Sequence, residues 1–164
     1  MPTTLPIPIE FRLPKGWLPA RPEGFDSAGV AFAAVHSQPD AGFAATITID
    51  GEVPDTATLA DLADKAVERL RKVAESVTVG DRRDVGSAYS PGLIQRLTLS
   101  VVIHGALRDL VQSQVYLSLS DSEDPRKHAV IRLAFTATAG QHDTVLRDFQ
   151  EFVRTVRPDT GAGA

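Results

Sequence analysis

Four histidines, His36, His104, His128 and His142, are the side chains best suited to acid–base or metal chemistry in this 164-residue chain. None stands at H-x-H, H-x-x-x-H or H-E-x-x-H spacing, the intervals at which one element aims two ligands at a metal. Each falls near the end of an expected strand or helix, where turn and strand-end roles account for it. His104 and His128 would approach one another if their strand ends shared a sheet edge, and a hydrolase reading would have to start there. The segment Gly86-Ser-Ala-Tyr-Ser-Pro-Gly92 holds two serines but no G-x-S-x-G, and it lies between strands instead of on a strand-to-helix elbow. Asp121-Ser-Glu-Asp-Pro-Arg-Lys127 gathers three carboxylates beside two cations, without the alternating ligands and turn glycine of a calcium loop. Neither a G-x-x-x-x-G-K-[ST] nor a G-x-G-x-x-G phosphate loop occurs. The expectation is a protein with no catalytic residues, no metal and no cofactor.

Two other groups of residues suit recognition instead of reaction. Lys65, Arg69 and Lys72 recur at helical spacing away from an apolar stripe, with Arg71 and Arg82-Arg83 nearby. Such a row would steer an acidic partner surface or anionic headgroups. The bland reading is a solvated helix face tempered by Asp61, Asp64 and Glu68. The second group is the polar half of several alternating strands: Thr46, Thr48, Arg96, Thr98, Ser100, Gln112, Gln114, Tyr116, Arg132 and Thr136. If they share one side of a sheet, and two helices cover the other, that side is either wet or docked against something. Tyr116 is the aromatic residue expected there, and so the anchor of any interface. Trp17 is read as a core plug.

These residues need elements to position them. Composition allows one domain: 43% hydrophobic and 23% charged, enough to bury a core without metals or disulfides. The absence of cysteine excludes thiol nucleophiles, Cys-based zinc and iron–sulfur sites and N-terminal lipidation of this sequence. A formal charge of −4 argues against a nucleic-acid partner. The first ten residues lack the basic and apolar regions of a secretory signal, and no stretch suits a bilayer span. As given, the expected location is cytoplasmic, with envelope association requiring a removed leader or another export route.

Leu5 to Leu13 alternates, but Pro6 and Pro8 restrict it to an edge strand or extended arm. Lys15 to Ser27, rich in Pro and Gly, reads as an irregular connection. Gly29–His36 and Gly42–Val53 form a hairpin around Pro39-Asp40. Leu59, Leu62, Ala63, Ala66, Val67, Leu70 and Ala74 lay one stripe on a helix, with Thr58 and Asp61 as a capping box. Four strands follow, Ser76–Val85, Leu93–His104, Leu107–Ser120 and His128–Thr138, the last three apolar on alternate residues. A last helix spans about Gln141 to Arg157, stopped by Pro158. Residues 1–158 make a single α+β domain in layers, and 159–164 a flexible tail.

Phe11-Arg-Leu-Pro-Lys-Gly-Trp17, Leu110-Val-Gln-Ser-Gln-Val-Tyr116, Ala129–Thr138 and Phe149–Pro158, in this order of elements, resemble the LpqN-type actinobacterial lipoproteins and the related DcrB-type proteins. These share the PsbP-like fold. The resemblance implies an antiparallel sheet of about seven strands whose first three and last four meet in the middle. It brings no catalytic residues, since the fold serves a photosystem subunit, a nuclear GTPase-binding factor and envelope lipoproteins. This chain departs from the lipoproteins in having neither leader nor lipidated cysteine. The expected function is a non-enzymatic binding or accessory domain for a protein partner, using the polar sheet face or edge loops. The alternative is a small-molecule or lipid carrier, its ligand between sheet and helices.

Overall fold

A computed structural model describes residues 5–21, 30–40, 43–53, 56–87, 91–120 and 128–158. The elements in chain order are β1 (Ile9–Glu10), β2 (Trp17–Ala20), β3 (Val30–His36), β4 (Thr46–Glu52), α1 (Leu59–Arg71), β5 (Ser76–Gly86), β6 (Pro91–Ile103), β7 (Ala106–Ser120), β8 (His128–Thr138), α2 (His142–Thr155) and β9 (Arg157–Pro158). A seven-stranded antiparallel sheet runs β2-β3-β4-β8-β7-β6-β5, so the halves of the chain meet at β4 and β8, as the resemblance implies. The α+β class is therefore the observed one.

Trp17–Ala20 corrects the sequence reading, which left it in an irregular connection. It is an edge strand antiparallel to β3, a position where Pro19 costs no ladder bond to a further neighbour. The arm before it joins a separate two-stranded sheet with β9, Ile9 opposite Pro158 and Glu10 opposite Arg157. Gly51 lets that arm lie close, because a Cβ there would stand 2.9 Å from Ile131 Cδ1 and 3.1 Å from Leu5 and Pro6.

The α1 capping box is present: Asp61 N donates to Thr58 Oγ1 at 3.1 Å and Thr58 N to Asp61 Oδ2 at 3.0 Å. This satisfies two of the first-turn amides that a helix leaves without partners. Leu62, Ala63, Ala66 and Val67 face inward.

A second correction concerns the helices, which do not share one face of the sheet. Phe135 on β8, with Val115 on β7 and Ile47 on β4, packs against Val145, Phe149 and Phe152 of α2. Leu93, Leu97, Leu99, Leu110, Tyr116 and Val130 pack instead against α1. In the ladder Ser113 pairs with Phe135 while its neighbour Gln112 pairs with Thr136. Successive side chains point to opposite faces, so α1 and α2 cover opposite sides.

Candidate functional site

The ten residues expected on one polar face divide between two. Arg96 pairs with Ser113, Leu97 with Gln112, and Gln95 with Gln114. Arg96, Thr98 and Ser100 therefore lie on the α2 side, and Gln112, Gln114 and Tyr116 on the α1 side. The polar set of β4 and β8, Thr46, Thr48, Arg132 and Thr136, does join the latter. Periodicity within each strand is read correctly. The relative register of β6 and β7 is what a single strand cannot reveal.

The α1 side is also less open than expected. Tyr116 is 2% exposed, packed against Leu62, Ala63, Leu93 and Val130, and so is no exposed anchor. Gln114 and Gln95 are buried as well. Polar groups at such depth need partners, and these have them. Tyr116 Oη donates to Gln114 Oε1 at 2.8 Å, and Gln95 Nε2 donates to the same oxygen at 2.7 Å. Gln114 Nε2 donates to Gln112 Oε1, and Gln112 Nε2 to Thr136 Oγ1 at 2.8 Å. On the other flank Arg82 donates to Gln95 Oε1 through Nε at 3.0 Å and to Asp64 of α1 at 2.7 Å. Arg132 pairs with Asp50 and reaches Tyr116. The chain of bonds crosses from β5 to β4 beneath α1.

Burial pushes the Asp50 carboxyl up, against the opposing pull of Arg132 and Arg69. The same pair holds the Arg132 guanidinium up despite burial. The guanidinium is charged at any pH a protein survives, so the carboxylate is the member that titrates. Tyr116 is raised by burial and stays a neutral donor.

Lys65 and Arg69 on α1 and Lys72 at its C-cap are exposed, where the sequence places them. The carboxylates expected to temper them are engaged elsewhere. Asp61 closes the capping box, Asp64 pairs with Arg82, and Glu68 pairs with Arg71 at 3.2 Å. Among the described residues no ion pair involves Lys65, Arg69 or Lys72, while Arg69 acts at longer range on the buried Asp50 carboxylate.

The histidines separate. His104, with φ of 51°, and Gly105, with φ of 79°, form the positive-φ pair that turns β6 into β7. His128 sits opposite Ser120 at the other end of β7, bonded to its Oγ at 2.9 Å. A strand of that length holds the two roughly 45 Å apart, which corrects the expected approach of His104 and His128. His36 stacks edge-on to Trp17, whose indole, 5% exposed, donates to Asp148 at 3.1 Å and plugs the core. Residues 88–90, 121–127 and 159–164 lie outside the described residues.

His142 carries an arrangement that the sequence did not disclose. Its Nε2 lies 2.9 Å from Ser113 Oγ and its Nδ1 3.2 Å from Asp143 Oδ1, with the ring stacked on Phe135. A neutral imidazole satisfies both contacts, donating from Nδ1 and accepting at Nε2. The polar order matches a Ser-His-Asp relay, but nucleophile and base are sealed between sheet and α2, with His142 1% exposed. A substrate carbonyl has no approach to Ser113 Oγ, and the array pins the start of α2. Burial pushes the imidazole below its ordinary value, the Asp143 hydrogen bond opposing and Arg96 adding to the fall. Between that lowered value and the ordinary one, the unfolded chain binds the extra proton. His142's contribution is therefore complete above about pH 6.5 and is lost as pH falls below it. His142→Gln, compared with the parent in urea at pH 7.5 and 5, should flatten that acid loss; an unchanged pH slope would contradict it.

Neither a protein-family model nor a curated protein matches the chain. Solved structures do. LpqN of Mycobacterium tuberculosis, described as involved in cell envelope biogenesis, is similar with a TM-score of 0.61 and 16% identity, over 92% of this chain and 83% of that one. The Ran-binding protein Mog1p of Saccharomyces cerevisiae gives 0.61 and 16%, over 93% and 92%. The cyanobacterial PsbP of Synechocystis gives 0.55 and 16%, over 92% and 86%. At that identity the likeness is one of fold. Among the described residues, no helix is long and apolar enough to cross a membrane.

Proposed function

We propose that this protein is a binding module that docks an acidic protein surface against the outer face of α1. The reading is carried by one observation: Asp61, Asp64 and Glu68 of α1 are engaged elsewhere, which leaves Lys65 and Lys72 without an ion pair among the described residues, beside Arg69, which also acts on Asp50. Such a row raises association rates with a negative surface and disfavours positive ones. The hydrogen-bonded sheet face behind α1 gives the row a rigid support through Arg82 and Asp64. The fold supports a recognition role too, since it is shared with a protein described as Ran-binding. The partner's identity, and a cytoplasmic setting for the encounter, belong to the same proposal.

The test uses wild type and the triple variant Lys65→Glu, Arg69→Glu, Lys72→Glu as baits in extract of the native host. Binding of each captured protein is then measured with purified components. An acidic protein that binds wild type, weakens with salt and loses at least tenfold in affinity to the variant is the expected result. A partner held equally by both baits would remove the basic row from the function.

A further inference from the structure

The N-terminal arm and the end of α2 enclose a cleft of about 390 Å³, lined by Glu10, Phe11, Arg12, Arg154, Thr155 and Arg157. It lies on the α2 side of the sheet, away from α1. Backbone bonds fix its walls. Arg12 N donates to Thr155 Oγ1 at 2.9 Å, and Thr155 Oγ1 lies 3.3 Å from Arg12 O. The β1–β9 pairing holds Glu10 against Arg157. Phe11 packs edge-on against Phe32 and Phe152, which ties this wall of the cleft to the core.

The arm thus brings Arg12 to two arginines that sit 142 or more positions further along the chain. Among the described residues Glu10 is the one carboxylate lining the cleft, and it is paired with Arg157. Arg12 and Arg154 form no ion pair among the described residues. The α2 C-terminus adds about half a negative charge, which disfavours anions. Against the surplus of two guanidiniums it does not reverse the sign. Guanidinium forks match the planar oxygens of carboxylate and phosphate, often through two parallel bonds.

We propose that this cleft is a binding site for a small organic anion, its phosphate or carboxylate held by Arg12 and Arg154 and its apolar part lying on Phe11. The size is that of a small-ligand pocket. This site is independent of the α1 surface, and either can stand without the other.

The test titrates the isotope-labelled full chain with phenyl phosphate, with benzoate and with the cation benzamidine, followed by NMR. The expected result is saturable shifts at the amides of residues 10–12 and 154–157 with at least one anion and none with benzamidine. Saturation with phenyl phosphate alone assigns a phosphate, with benzoate alone a carboxylate, and with both a general oxyanion site. Arg12→Ala with Arg154→Ala should weaken binding at least tenfold, while Lys65→Glu, Arg69→Glu, Lys72→Glu leaves it unchanged. Should the double alanine variant not fold, Arg154→Gln alone, at an exposed helix position, serves in its place. No saturable shift with either anion, equal binding of benzamidine, or shifts that follow the α1 row instead would overturn the proposal.

Discussion

Gln114→Leu should lower the unfolding free energy by about 3 kcal/mol, although leucine nearly conserves the volume. The side chain touches Tyr116, Gln95 and Gln112 through both ends of its amide. Removal orphans the Tyr116 hydroxyl proton and the Gln112 carbonyl, whereas Gln95 Nε2 keeps Ala63 O at 3.3 Å. Each orphaned buried group costs about 1–3 kcal/mol, and Gln112, half-buried, belongs at the low end. Leucine's own easier desolvation offsets part of the sum. For a domain of this size the melting temperature should fall by about 6–12 °C. Tyr116→Phe alone should cost about 1 kcal/mol, and the pair should be non-additive because the two share a bond. A loss below about 1 kcal/mol for Gln114→Leu, by urea melts, would mean that water reaches the network.

Arg132→Met should destabilise by about 2–4 kcal/mol at pH 7. Breaking a fully buried ion pair costs about 3–5 kcal/mol. Here the side chains of Arg132 and Asp50 are 17% and 18% exposed, and Arg69 still favours the carboxylate, so the figure is discounted. The pH dependence gives the assignment its sign. Asp50 is raised above its ordinary value when folded, and losing Arg132 raises it further. As pH rises, the unfolded chain ionises first and the folded one is held back, so stability is lost through that window. The deficit of Arg132→Met should therefore shrink as pH is lowered from 7 toward 4. Adding Asp50→Asn should recover most of it at pH 7. A deficit independent of pH, with no rescue, would place the cost in lost packing of the arginine stem.

Much of this was legible in the residues. Thr58 and Asp61 announce the start of α1, and Leu97, Leu99 and Ile131, Leu133, Phe135 announce strands with one apolar side. The basic row of α1 was legible because helical spacing alone places Lys65, Arg69 and Lys72 together. The engagement of Asp64 away from that row was not, because Arg82 reaches Asp64 from a strand 18 residues on. The arginine cleft left no local signal, since Arg12 and Arg154 meet only when the arm folds back on α2. Trp17–Ala20 was obscured by Pro19, which an edge position tolerates.

The sequence by itself determined the class: alternating strands, two amphipathic helices and no thiol chemistry. Local periods of two and of 3.6 are properties of one segment, and each segment carries its own. Tertiary structure alone decided which face each polar residue joined. A face is fixed by the register between neighbouring strands, where a slip of one residue exchanges inside for outside. Arg96 was thereby set beside Ser113, and Gln114 beside Gln95 under α1. A face read as either wet or docked became, in its α1 half, an internal hydrogen-bonded layer, and the exposed basic row lies on α1 above it.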